Sequence, residues 1–264
     1  MSPRPGYRWM LGMIGLALAG PARAQNAAPS PELIATLRPC RELRGVLKLP
    51  DLVVTGVPSP RDERVHHVTL GKRRWIASLT RSGAQCTVFP LAQPNSRLAG
   101  SFLRGEAKVT VSAYVQEEER HSLLLFLGRE SRPLYAMLLG CLATPRALKL
   151  FDGRDTLFIS CISCGDTCQE QGQLFHAFDR APELVLDVNF GLVQDCGKAS
   201  GWIHAAKKKG AAPVLRVAEA MSNRPGEVPF GRVGEMTFDA TKRKFVFSGQ
   251  PRRQRLPDPC PATN

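Results

Sequence analysis

The pattern of apolar and polar positions divides the chain into a short helical start and a long run of period-two segments. Ser30-Pro31-Glu32 reads as a helix start: a hydroxyl N-cap, proline at the first position, an acid in the first turn. Leu33, Ile34 and Leu37 form a short apolar stripe, Pro39 ends the helix, and Cys40 stands where it can pin the helix to the body. From Val46 onward the period is two. Leu52, Val53 and Val54 predict a short strand ended by Gly56 and Pro58. Residues 65–79 predict a hairpin with Gly71-Lys72-Arg73 at its tip. Ala107, Val109, Val111, Ala113 and Val115 alternate with Lys108, Thr110, Ser112, Tyr114 and Gln116, the clearest half-buried strand of the chain. The run 123–127 is apolar without a break, which suits a strand buried on both faces.

A local theme follows. Phe151-Asp152, Phe178-Asp179 and Phe238-Asp239 each end an apolar segment, pass through a polar tip and return to apolar residues. An aspartate at the entrance of a turn accepts backbone N–H groups two residues on, which favours reversal. The spacings between the three are unequal, so a meander of hairpins is preferred to a strict repeat array. The fold expected is mainly β: an antiparallel meander or sandwich of hairpins with one short N-terminal helix, stapled by disulfides. A small β-propeller-like arrangement is the alternative.

The first residues read as a targeting segment. Arg4 and Arg8 give a positive start, residues 9–19 are apolar but short of a membrane span, and Ala22-Arg23-Ala24 is a small-x-small cleavage site. The organisation expected is a signal peptide over 1–24, a mobile leader over 25–30, and one β-rich domain over 31–264 whose tail, from about residue 250, is basic and Pro-rich. That tail is expected to be irregular until Cys260 fastens it. A periplasmic or secreted location follows. Pro21 stands where a lipoprotein box would need cysteine, which argues against a lipid anchor.

Export changes how the eight cysteines are read: Cys40, Cys86, Cys141, Cys161, Cys164, Cys168, Cys196 and Cys260. An even number in an oxidising compartment predicts disulfides. Cys161 is expected to close to a neighbouring strand, with Cys141 as a candidate, and Cys164 and Cys168 to pair with Cys196 or with each other. Two other readings compete for the cluster. Cys161 and Cys164 form a C-x2-C, but the β-like run before Cys161 and Gly165-Asp166 after Cys164 are not the helix start that a redox pair uses. Cys161, Cys164, Cys168 and His176 are soft-metal ligand types, at a spacing that matches no standard zinc pattern. No cofactor is expected.

The chain is basic, with 36 Lys and Arg against 23 Asp and Glu. Lys72-Arg73-Arg74, Lys207-Lys208-Lys209 and Lys242-Arg243-Lys244 fall at predicted tips or loops, and Arg252, Arg253 and Arg255 lie in the tail. Solvated turns are the plain reading; an anion-binding rim is the sharper one. In an exported protein the partner would be an envelope polyanion (lipopolysaccharide, anionic lipid or polysaccharide) or another protein. Nucleic acid is disfavoured, because aromatic residues are not interleaved with the basic clusters.

Hydrolase signatures are missing: there is no G-x-S-x-G, H-E-x-x-H or G-x-x-x-x-G-K. His66 and His67, adjacent on a strand, point to opposite faces and cannot chelate one ion together. Asp152, Asp155 and Asp179 read as turn formers, and no catalytic residue is assigned. The succession of strand, Lys149-Leu150-Phe151-Asp152-Gly153, strand and closely spaced cysteines resembles the invasion-associated locus B type of periplasmic protein. Trp75 and Cys86 depart from that family's Trp-then-Cys pairing, and no function is carried over from it. The function expected is a non-catalytic exported binding protein for an envelope component or another protein, with inhibitor and immunity proteins in the same class. The alternatives are an envelope enzyme without a recognisable motif, and a thiol-redox or soft-metal protein using the Cys161/Cys164/Cys168 cluster.

Overall fold

The Ser30 hydroxyl accepts the Leu33 N–H at 3.2 Å and caps α1 (Pro31–Thr36), the one α-helix among the described residues, as the sequence predicts. The computed structural model describes residues 29–59, 64–80, 82–118, 120–193, 199–206, 212–221 and 230–257. The signal peptide expected over 1–24, and most of the leader after it, lie outside the described residues. After α1, two single 3-10 turns, Arg41–Leu43 and Val46–Lys48, lead into the strands.

The rest is four antiparallel meanders in chain order. The first sheet is β1 (Leu52–Val57), β2 (Arg64–Leu70), β3 (Arg73–Leu79) and β4 (Cys86–Pro90). The second is β5 (Ser96–Gly100), β6 (Val109–Gln116), β7 (His121–Leu127) and β8 (Pro133–Leu139). The third is β9 (Leu142–Phe151), β10 (Arg154–Cys164), β11 (Cys168–His176) and β12 (Glu183–Leu192). The fourth is β13 (Trp202–Ala206), β14 (Val214–Ala220), β15 (Phe230–Asp239) and β16 (Lys244–Phe247), with β17 (Arg252–Arg255) also paired to β15.

These sheets pack face against face in series. Val57, Val65, Ile76 and Phe89 of the first meet Leu123, Leu125 and Ala136 of the second. Leu124, Phe126 and Met137 of the second meet Leu157, Ile159 and Phe175 of the third. Leu150, Leu174 and Phe190 of the third meet Leu215, Val217 and Phe245 of the fourth. The unbroken apolar run of β7 is thereby explained. Leu123 and Leu125 face one neighbour, Leu124 and Phe126 the other, so no position can be polar.

Each meander has the plan of a propeller blade, but no core cluster among the described residues joins the fourth sheet to the first. The outer face of the first sheet is covered instead by Leu37, Cys40 and Leu43 of the helical start. The outer face of the fourth carries a smaller cluster of Ala218, Ala220 and Leu256. The tail therefore differs from the sequence expectation. Arg252–Arg255 is a strand, because the N–H and C=O groups along one edge of β15 accept it as a ladder partner. Cys260 lies outside the described residues.

Three disulfides hold the described part. Cys40–Cys86 fastens the helical start to β4, Cys141–Cys161 ties the β8–β9 turn to β10, and Cys164–Cys168 links β10 to β11. Cys196 lies outside the described residues. No described helix is long and apolar enough to cross a membrane.

Candidate functional site

The three Phe-Asp hairpins converge. Phe151 at the end of β9, Phe178 after β11 and Phe238 near the end of β15 gather between the third and fourth sheets. Their ring centroids lie 5.6 Å (Phe151–Phe178), 4.8 Å (Phe151–Phe238) and 5.4 Å (Phe178–Phe238) apart. Phe245 joins them, 5.5 Å from Phe238. The His176 ring packs 4.2 Å from Phe151 with its Nδ1 3.1 Å from Thr156 Oγ1. Burial in this aromatic setting, assisted by the Arg154 charge, pushes its pKa down to about 4, so the ring is neutral near pH 7. Asp239 behaves as the sequence predicts, accepting the N–H groups of Thr241 and Lys242.

Asp155 corrects the reading of hairpin-tip carboxylates as turn formers. It is buried, at 4 % exposure, accepts the Ser101 N–H at 2.8 Å and pairs with Lys149 Nζ at 2.5 Å. Burial pushes its pKa up, but the Lys149 ammonium and the Ser101 N–H outweigh that and hold it below the usual carboxylate range. It is a joint between the second and third sheets. Asp179 likewise reaches beyond its own turn, to Arg243 and Arg104. His66 and His67 lie on opposite faces of β2, and burial lowers both pKa values.

The sulfur cluster does not act as one unit. Cys161 bonds Cys141, while Cys164 bonds Cys168, so Cys161 and Cys164 are not a redox pair with each other. With all three sulfurs oxidised, the Cys161, Cys164, Cys168 and His176 set has no thiolate to offer a soft metal.

The described basic tips belong to different sheets. Lys72, Arg73 and Arg74 belong to the β2–β3 hairpin of the first sheet and are exposed. Lys242, Arg243 and Lys244 belong to the β15–β16 hairpin of the fourth. There Arg243 is occupied by Asp179 at 3.0 Å and Glu183 at 2.8 Å, and Lys242 faces Asp239 at 3.6 Å. Lys207, Lys208 and Lys209 lie outside the described residues.

A surface that the sequence reading missed lies on the outer face of the fourth sheet. The registers place Trp202 opposite Ala218, Ala218 opposite Val233 and Val233 opposite Arg252. Cross-strand partners share a face, so these four form one row across β13, β14, β15 and β17. At about 4.8 Å between strands, the Trp202 and Arg252 backbones stand roughly 14 Å apart. Val233 lies between them at the surface, while Ala218 is fully buried in the cluster with Ala220 and Leu256 against which Trp202 and Val233 pack. The adjacent row carries His204, Arg216 and Glu235, and Gln254 lies beside Arg252. Trp202, Arg216, Val233, Gly234, Glu235, Gln250, Arg252 and Gln254 line a shallow depression of about 300 Å³. Arg216 is paired with Glu235 at 3.2 Å. Arg252 is exposed and has no acidic partner among the described residues. Period-two spacing in Trp202-x-His204 and Arg252-x-Gln254 is the only sequence signal of this face, and the register that unites the two segments is long-range.

Two concavities elsewhere have different linings. One, about 410 Å³, opens between the second and third sheets against Tyr135, Met137, Leu139, Phe175, Pro182 and Leu184, with Gln173 and Glu183 its charged or amide groups. The other, about 440 Å³, lies between β12 and the fourth sheet, where Arg232 already binds Glu219. Neither brings together a nucleophile and a base at hydrogen-bonding distance. No known protein family, curated protein or solved structure matches the chain.

Proposed function

We propose that the chain is an exported, non-catalytic binding protein for an anionic glycan of the cell envelope, taken up on the outer face of the fourth sheet. The observation that carries this reading is the depression that joins Trp202 to Arg252: a half-buried indole, steadied by the His204 ring 4.8 Å away, at one end, an uncompensated guanidinium at the other, and Val233 and Gly234 between. Indole is a flat apolar surface on which the C–H face of a sugar ring packs without losing the hydration of its hydroxyls. A guanidinium takes a carboxylate or phosphate through two parallel N–H bonds. The Gln250 and Gln254 amides, lining the same depression, both donate and accept, as hydroxyl recognition requires. The depression is shallow and open, which suits a chain passing across it better than a small molecule enclosed. A single aromatic plate also fits a glycan better than single-stranded nucleic acid, which is bound on successive stacked rings.

The test is a titration of the full chain with polygalacturonate and with neutral dextran, at low and high salt, followed by isothermal titration calorimetry. Saturable binding to polygalacturonate that weakens with salt, and is lost in Trp202→Ala and in Arg252→Ala, is the expected result. Equal binding of dextran, or full binding by both variants, would overturn it.

A further inference from the structure

The three disulfides differ in what they hold and in who can reach them. Cys40–Cys86 and Cys141–Cys161 join residues 46 and 20 apart in sequence, and Cys40, Cys141 and Cys161 are at most 7 % exposed. Cys164 and Cys168 are four apart and directly opposite each other at the end of the β10–β11 ladder, with Cα atoms 3.9 Å apart. Both are half-buried, and Ser163, Gly165, Asp166 and Thr167 around them are exposed. Their register is already set by the seven other residue pairs of that ladder and by the Gly165 N–H donating to the Thr167 carbonyl at 3.0 Å. Cross-linking two residues so close in sequence removes less freedom from the unfolded chain than either of the other two bonds, since the effect grows with the logarithm of loop length. This bond therefore constrains the fold least, and among the three described it alone has both cysteines partly exposed, since Cys86 is half-buried but its partner Cys40 is fully buried.

We propose that Cys164–Cys168 is a thiol–disulfide exchange site for external dithiols, while the other two described bonds are static. An incoming thiolate attacks Cys168 Sγ, the Cys164–Cys168 S–S bond breaks, and Cys164 leaves as the thiolate. The Arg120 guanidinium, which donates to the Cys164 carbonyl, supplies positive charge on that side. The freed Cys164 stays beside the new mixed disulfide because the hairpin holds the two residues opposite each other. A monothiol is consequently expelled again by Cys164. A dithiol instead completes the reaction: its second thiolate attacks the mixed disulfide, its own two sulfurs become oxidised, and Cys164 and Cys168 are left as two thiols. That chemistry selects dithiols over monothiols.

The test uses the folded full chain, incubated with graded dithiothreitol or with 2-mercaptoethanol at equal thiol concentration, then alkylated and mapped by peptide mass. Cys164 and Cys168 should be alkylated at a dithiothreitol concentration roughly tenfold below that needed for Cys40, Cys86, Cys141 and Cys161, with circular dichroism unchanged. The dithiol should be at least about tenfold more effective than the monothiol at this bond. A Cys164→Ser/Cys168→Ser double variant should fold, with a melting temperature lowered by only several degrees, and release no early thiols. Simultaneous reduction of all three bonds, loss of fold together with Cys164–Cys168, or equal potency of the two reductants would each overturn the proposal.

Discussion

Arg243 Nη1 donates to Asp179 Oδ2 at 3.0 Å, joining the tip of the β15–β16 hairpin to the tip of β11–β12. The same guanidinium lies 5.4 Å from the Phe178 ring centroid. Behind this exposed clasp sit the four phenylalanines and His176, so ionic and apolar contributions to one joint can be separated. Arg243→Ala should lower the melting temperature only slightly, and the shift should fade at high salt, because exposed ion pairs are weak and screened. Phe238→Ala removes a ring that touches three others and should cost about 3 kcal/mol of unfolding free energy in urea. Equal effects would mean that the clasp contributes as much as the rings to holding the third and fourth sheets together.

The neutral, buried His176 makes stability depend on pH with a defined sign. Its folded pKa, about 4, lies below its ordinary value of 6.5, so the unfolded chain binds the extra proton in that window. Stability is complete above pH 6.5 and falls as pH drops toward 4. Between pH 7 and pH 5 the loss from this residue is about 2 kcal/mol, and the lowered values of His66 and His67 act in the same direction. Urea unfolding of His176→Phe should show that loss reduced by about 2 kcal/mol. An unchanged pH dependence in this variant would contradict the assignment.

Asp155 joins the second and third sheets, and its effect runs the other way along the pH axis. Its folded pKa is depressed, so its stabilisation is present above the unfolded carboxylate pKa and is lost as pH falls through the folded one. Asp155→Asn keeps an acceptor for the Ser101 N–H but removes the charge facing Lys149, and should cost about 1–3 kcal/mol at pH 7. The difference from wild type should narrow as pH falls through the folded pKa, where the native carboxyl also becomes protonated.

Gly172 on β11 lies beneath the Phe190 ring, which occupies the place a side chain would take. Gly172→Ala should destabilise by about 1–3 kcal/mol through displacement of that ring. Gly165, around whose Cβ position nothing approaches, should accept alanine with no comparable loss. Thermal unfolding of the two variants side by side decides this.

What the chain discloses locally, it discloses well. Ser30-Pro31-Glu32 marks the helix, the alternation through Val109 and Val111 marks β6, and the unbroken run 123–127 marks a strand with two apolar neighbours. The Phe-Asp theme points to hairpins, and Asp239 performs the turn chemistry expected of it. The rest depends on partners far away in sequence. Asp155 reads as one more polar tip until Ser101, 54 residues earlier, is found against it. The basic residues of the tail read as irregular until β15 supplies the ladder that places Arg252 in line with Trp202. A register one residue different would turn Arg252 to the opposite face, and nothing in the local pattern of Arg252-Arg253-Gln254-Arg255 prefers one face.

The location of glycan binding tests the functional proposal most directly, and amide hydrogen exchange of the full chain with and without polygalacturonate measures it. Protection concentrated on β13, β14, β15 and β17, and abolished in Trp202→Ala, is the result the account predicts. Protection confined to the β2–β3 tip around Lys72, Arg73 and Arg74, or none at a saturating concentration, would contradict it.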